Sequence, residues 1–267
     1  MESENKKKKT RREFLIASAA LAGGIISFTA LKPFSALGGS AEKSDESFTL
    51  GSKAKSKSNK WYGFGFDIEK CIGCGSCAAA CKKENNVPEE PFYFRTWVEH
   101  YTIKTDGTVK VESPNGGIDG FQQSVPEDEI MKSFFVPKAC CHCAKSPCEE
   151  VCPVGASFLS PEGVVLADPK YCIGCGYCVQ ACPYGCRYIK PDTHVVDKCT
   201  MCYHRITKGI PPACVEVCPT GARMYGDLHD KKSPIVAFLK SHNCRVLKPH
   251  LNTKPKLFYN ALREEVR

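Results

Sequence analysis

The cysteines constrain this chain more than any other feature, because sixteen of the nineteen fall into four short groups with repeating spacing. The first is Cys71, Cys74, Cys77 and Cys81 in CIGCGSCAAAC. The third is Cys172, Cys175, Cys178 and Cys182 in CIGCGYCVQACP, and the two agree at eight of the first eleven positions, which marks an internal duplication. The second group, Cys140, Cys143, Cys148 and Cys152, and the fourth, Cys199, Cys202, Cys214 and Cys218, both open with CxxC. Both close on Cys-Pro followed by Gly-Ala, with the middle loop of the fourth stretched. Cys141, Cys186 and Cys244 stand outside the pattern.

Three chemistries compete for such a pattern. A disulfide framework suits short secreted scaffolds, whereas here neighbouring thiols on one loop would pair indiscriminately, and the count is odd. Zinc accounts for one isolated CxxC…CxxC group but not for four groups in triplet-plus-Cys-Pro order. That order is the bacterial ferredoxin run, in which three thiolates from one tight loop bind one cubane and the fourth Cys ligates another cluster. Gly73, Gly75, Gly174 and Gly176 remove side chains where the backbone curls close to inorganic sulfide. The proline after the last Cys turns the chain away.

Residues 1–41 read as a targeting segment, with a basic start, the Arg11-Arg12 pair in TRREFL and an uncharged run from Phe14 to Leu31. The stretch resembles a twin-arginine export signal. Cleavage is expected near residues 38 to 42, and an uncleaved membrane anchor is the alternative, since 18 residues approach the length of a span. Residues 42–60, rich in Ser, Lys and Glu, read as a flexible linker. The first 60 residues hold 12 basic and 6 acidic side chains and so carry most of the formal net charge of +8. The basic balance therefore belongs to the leader and linker and gives no ground for nucleic-acid binding.

Strand-like runs flank the groups at 62–68, 163–167, 187–190, 194–196 and 223–225, and helical turns follow the triplets at 78–84 and 177–181. The fold class is α+β: two nested bacterial-ferredoxin-like lobes, loop-rich around the clusters, with a β-hairpin insertion. The first lobe takes 61–81 and 199–228, the second 140–198. The β-rich insertion is 82–139, where 92–104 and 108–112 read as a hairpin turning at Asp106-Gly107. Tyr93, Trp97 and Tyr101 suit either shielding of a cluster or docking of a partner. The C-terminal tail, 229–267, opens with an amphipathic stretch at 234–240 and has no apolar run long enough to span a membrane.

With the groups in this order, and with KCTMCYHR running on to PTGAR at 219–223, the chain resembles the four-cluster ferredoxin subunits of respiratory complexes. These belong to the polysulfide, tetrathionate, dimethyl-sulfoxide and formate-dependent nitrite reductase systems. The resemblance implies four [4Fe–4S] clusters with four ligand sets. They are Cys71, Cys74, Cys77 and Cys218; Cys81, Cys199, Cys202 and Cys214; Cys140, Cys143, Cys148 and Cys182; and Cys152, Cys172, Cys175 and Cys178. It also implies a periplasmic electron-transfer subunit without a substrate site of its own. Electrons would pass between an integral-membrane, quinone-reactive subunit and a molybdopterin-type catalytic subunit, with membrane association through those partners. A free-standing periplasmic polyferredoxin shuttle is the alternative. Export in the folded state reconciles thiolate clusters with an oxidising destination.

Among the remaining residues, Cys141 and Cys186 read as small buried fillers or competing ligands, and Cys244 as structural. His142 and His204 are expected to hydrogen-bond to sulfur rather than to bind iron. A lysine precedes every group, at Lys70, Lys138, Lys170 and Lys198. These are either solvated surface residues or ammonium groups that offset cluster charge and raise the potentials. No Walker sequence, Gly-rich nucleotide loop or CxxCH haem site is present.

Overall fold

The computed structural model describes residues 59–90 and 92–266; the leader and nearly all of the linker lie outside the described residues. Strand β1 is Tyr62–Asp67, in which Tyr62, Phe64 and Phe66 alternate with Gly63 and Gly65. The aromatic rings fill the core on one face of the strand. The glycines occupy the other face because that side is closely approached: a Cβ on Gly65 would lie 2.8 Å from both Met224 and Phe238. The third cysteine of the first triplet, Cys77, already lies in helix α1, Ser76–Asn85.

The insertion forms a three-stranded antiparallel sheet of β2 (Thr96–Lys104), β3 (Val109–Glu112) and β4 (Ile130–Ala139), with β2 central. The β2–β3 connection is longer than the two-residue turn expected at Asp106-Gly107. Ile103 pairs with Val109, the Lys104 N–H donates to the Thr108 carbonyl, and Gly107 takes the left-handed conformation (φ 83°). Tyr101 is fully buried and stacks on Phe134, Trp97 is half-buried with its indole N–H on Glu99, and Tyr93 lies against Tyr188. Tyr101 thus packs wholly inward, whereas Tyr93 and Trp97 keep part of their surface exposed.

Residues 140–198 repeat one short unit twice. Helix α2 (Pro147–Glu150) leads to the pair β5 (Ser157–Leu159) and β6 (Val165–Ala167); helix α3 (Tyr177–Gln180) leads to β7 (Arg187–Ile189) and β8 (Val196–Lys198). The strand expected at 194–196 lies two residues later. The fourth cysteine group carries α4 (Tyr203–Ile206) and α5 (Ala213–Glu216), and β9 (Arg223–Asp227) follows.

The segment that reads as a tail is integral to the structure. Helix α6 (Pro234–Ser241) buries Ile235 and Phe238, and β10 (Leu257–Asn260) pairs parallel with β1, while β9 pairs antiparallel with its other edge. Tyr259, fully buried, meets Phe66 edge-on at 5.7 Å. Among the described residues no helix is long and apolar enough to cross a membrane.

Candidate metal centre

The cysteines converge from distant parts of the chain onto four cavities of similar size. Cys71, Cys74 and Cys77 meet Cys218 around the first, of about 320 Å³. Cys81, Cys199, Cys202 and Cys214 line the second, of about 250 Å³. Cys140, Cys143, Cys148 and Cys182 line the third, of about 320 Å³, and Cys152, Cys172, Cys175 and Cys178 the fourth, of about 330 Å³. Each quartet is one of the four sets that the family resemblance implies.

Pairing of β1 with β9 sets Phe66 opposite Arg223, which draws the chain after Cys218 toward the first triplet. The triplet loops themselves curl through left-handed glycines at Gly73, Gly75, Gly174 and Gly176.

The donor chemistry fits iron–sulfur cubanes. All nineteen cysteines are free thiols. Among the described residues no three Cys, His, Asp or Glu side chains converge tightly enough to hold a single metal ion. Tetrahedral zinc would draw sulfurs to about 2.3 Å from one point. Here they ring a space instead, as a body larger than one ion requires. Backbone N–H groups point at the thiols: His142 to Cys140 and Met201 to Cys199, each at 3.4 Å, Val196 to Cys172 at 3.4 Å and Ser157 to Cys152 at 3.5 Å. Such donors stabilise charge on sulfur.

Thiols of successive cavities lie in common core clusters. Cys77 and Cys214 share one small core cluster, Cys140 and Cys199 share the main one, and Cys148 and Cys178 share a third. The cavities therefore succeed one another in the order first, second, third, fourth. At the two ends Cys74 and Cys175 are exposed, beside the exposed Ile72 and Ile173.

Burial works against ionisation of the thiols. It pushes Cys71 and Cys214 up to about 11, and Cys143 and Cys199 to about 12. Cys182 moves the other way, to about 5, chiefly through a hydrogen bond with Cys186. Cys186 and Cys141 both line the third cavity, so their burial does not take them away from the site. Cys186 donates to the carbonyls of Ala139 and Tyr184, each at 3.3 Å, which is the bonding of a protonated thiol. Cys244 is half-buried and lines none of the four cavities.

The histidine expectation needs correction. The imidazole of His142 accepts from the Val165 N–H at 3.2 Å, and that of His204 meets Glu84 at 2.7 Å; neither bonds to sulfur. At position 142 the backbone amide makes that bond, and Met201 does the same at the equivalent place in the fourth group. Both residues hold a positive φ, which aims the amide inward. The sulfur is thus served by main chain, whose direction a side-chain identity does not reveal.

The four lysines separate into different roles. Lys70 is 54% exposed beside Asp67, and Lys170 is on the surface. Lys138 is buried against Glu99 at 3.3 Å. Lys198 is 1% exposed and donates to the carbonyls of Val165 and Cys199, so its charge faces dipoles rather than a carboxylate.

Two 4Fe-4S dicluster domain families match, one over residues 70–156 and the other over 131–228. A tetrathionate reductase subunit of Salmonella typhimurium is 40% identical over 203 residues, covering 75% of this protein and 72% of that one. The subunit of the same name from Archaeoglobus fulgidus is 42% identical over 201 residues, with 75% and 82% covered. One of the polysulfide reductase polypeptides of Wolinella succinogenes is 37% identical over 200 residues, with 74% and 93% covered. The thiol-lined cavities and these relatives together place the protein in the family of ferredoxin-type iron–sulfur subunits of reductase complexes, as an electron-transfer component carrying 4Fe–4S clusters.

Proposed function

We propose that the protein holds four [4Fe–4S] clusters, one in each cavity and each on the four thiols named for it, and passes single electrons along the row. The observation that carries this reading is the separation of sixteen thiols into four quartets, each around its own cavity. Residues 61–81 with 199–228 make one ferredoxin-like lobe around the first two cavities, and 140–198 make the core of the other. The clusters supply one-electron chemistry when bound. The protein's part is to fix their order, exclude water and set the local field.

The exposed ends at Cys74 and Cys175 are where electrons pass to and from partners, an integral-membrane quinone-reactive subunit and a molybdopterin-type catalytic subunit. Export by the twin-arginine route places the assembly in the periplasm, held at the membrane through those partners. Anaerobically purified protein should contain about sixteen iron atoms and as much acid-labile sulfide per chain, on a four-cubane count. Half that content, or co-purification of no membrane subunit from detergent extracts, would overturn the reading in its cluster count or its assembly respectively.

Lys198 should be the lysine that matters among the four. Lys198→Gln is expected to lower the midpoint of the cluster beside Cys199, by a shift on the order of tenfold in the reduction equilibrium, about 59 mV for one electron. Lys70→Gln and Lys170→Gln should leave every midpoint in place, because water screens those groups. Redox titration followed by electron paramagnetic resonance checks all three.

A further inference from the structure

The internal duplication extends past the cysteines to a second pair of matched residues. Cys182-Pro-Tyr-Gly-Cys-Arg187 and Cys218-Pro-Thr-Gly-Ala-Arg223 both place an arginine five residues after the cysteine of a Cys-Pro, at the first position of a strand. Both are almost completely buried, Arg187 at 5% exposure and Arg223 at 3%.

Their surroundings match in detail. Arg223 lines the first cavity and donates from Nη1 to the Thr96 hydroxyl at 2.8 Å, and Thr96 lines the second cavity. Arg187 lines the third cavity and donates from Nη1 to the Ser157 hydroxyl at 2.7 Å, and Ser157 lines the fourth. Each guanidinium thus stands in the wall between two paired cavities. In each, Nη2 is buried without a hydrogen-bond partner, and in Arg187 so is Nε.

Neither charge is neutralised by a carboxylate within ion-pairing distance among the described residues. Arg95, which lines the second cavity, differs: it is paired with Asp197 at 2.8 Å. An unpaired buried guanidinium costs several kcal/mol unless an anion answers it. Here the nearest candidates are thiols. The charge on Arg223 is favoured by Cys77, Cys214 and Cys71, and that on Arg187 by Cys148, Cys140 and Cys178, so each draws on both of its cavities.

We infer that Arg223 and Arg187 are the internal counter-cations of the row, each shared by the two clusters of one lobe and each raising both of their reduction potentials. This inference rests on the ligand sets proposed above. Reduction of a cluster adds one negative charge to an already anionic cluster with its thiolates, and a fixed cation in a low-dielectric wall opposes that cost more than an exposed one does. Because one cation serves two clusters, it also offsets the repulsion that would build up when both hold an electron.

The test is an anaerobic redox titration of the purified holoprotein followed by electron paramagnetic resonance, with iron and sulfide measured on every sample. Wild-type iron content checks the ligand reading separately from the arginine assignment. Arg223→Gln should lower the midpoints of the two clusters in its own lobe by a tenfold or larger shift in equilibrium, about 59 mV per electron, and leave the other pair in place. Arg187→Gln should give the mirror result. Arg223→Lys and Arg187→Lys keep the charge and should keep the midpoints, and Thr96→Val and Ser157→Ala, which remove only the hydroxyl anchors, should do the same. Unmoved midpoints in both Gln variants at full iron content overturn the inference. So do Lys variants that fall as far as the Gln variants. Where a Gln variant loses iron, its Lys counterpart decides: full iron with wild-type midpoints supports the counter-cation, and iron loss there assigns the arginine to packing alone.

Discussion

Stripping iron from the native protein with a chelator under anaerobic conditions should unfold residues 140–198 outright. The secondary structure of that region consists of four-residue helices and three-residue strand pairs. Helices this short do not persist alone, and a single two-stranded pair is marginal in water. Half of one of their small core clusters is cysteine, Cys148 and Cys178 with Val165 and Val196. Structural metal can contribute on the order of 10 kcal/mol to such a region, a loss comparable to the stability of a whole ordinary domain, about 5–15 kcal/mol. The sheet of β1, β9 and β10 and the sheet of β2, β3 and β4 have aromatic packing of their own, through Phe66 and Tyr259 and through Tyr101 and Phe134. Hydrogen exchange should show amides of 140–198 at solvent rates while β1 and β2 keep measurable protection. Equal protection throughout the metal-free protein would refute this division.

The second large effect is a contrast between duplicated glycines. Gly75 and Gly176 occupy the same position in the two CIGCG triplets: Gly75 follows Cys74, and Gly176 follows Cys175, both at left-handed φ, 69° and 75°. At Gly176 an added Cβ meets nothing within 4 Å, so Gly176→Ala should cost only the left-handed penalty of about 1–2 kcal/mol and keep its cluster. At Gly75 the same Cβ would lie 2.2 Å from the carbonyl oxygen of Gly117, which belongs to the insertion. Backbone has to move there. Gly75→Ala should therefore displace the first triplet from Cys218 and lose one cluster, about four iron atoms by cubane stoichiometry. Iron analysis of the two variants side by side is sufficient, and equal iron in both would show that the insertion does not hold the loop.

These two glycines show where the sequence is readable and where it is not. The four cysteine groups are legible because thiol spacing reflects local loop geometry and a specific chemistry, while their division into quartets is what the family resemblance implies; each of those quartets lines one cavity. The YGFGF alternation of β1 is visible for the same reason, since strand periodicity is local. Gly75 and Gly176 are indistinguishable in sequence, because what separates them is a carbonyl from a loop some forty residues away. Strand β4 is masked by Pro137, which interrupts an otherwise strand-like run and is tolerated because β4 is an edge strand. Strand β10 lies in a Lys- and Pro-rich segment and forms because β1 offers it a free edge. Arg187 and Arg223 had a signal, the repeated Cys-Pro-x-Gly-x-Arg, and it becomes meaningful only once both residues are seen between cavities.

The parallel pairing of β10 with β1 joins a strand that precedes the first cysteine to one that follows the last. During synthesis β1 leaves the ribosome long before the strand that closes its edge, and the first triplet likewise waits for Cys218. Closure of this first lobe is therefore a late event, whereas the thiols around the third and fourth cavities are all present once Cys182 has been made. A polypeptide arrested anywhere before Leu257 offers an unpaired β1 edge, a feature that a quality-control chaperone can recognise. Completion of this sheet therefore marks the point at which the first lobe has no open strand edge on β1.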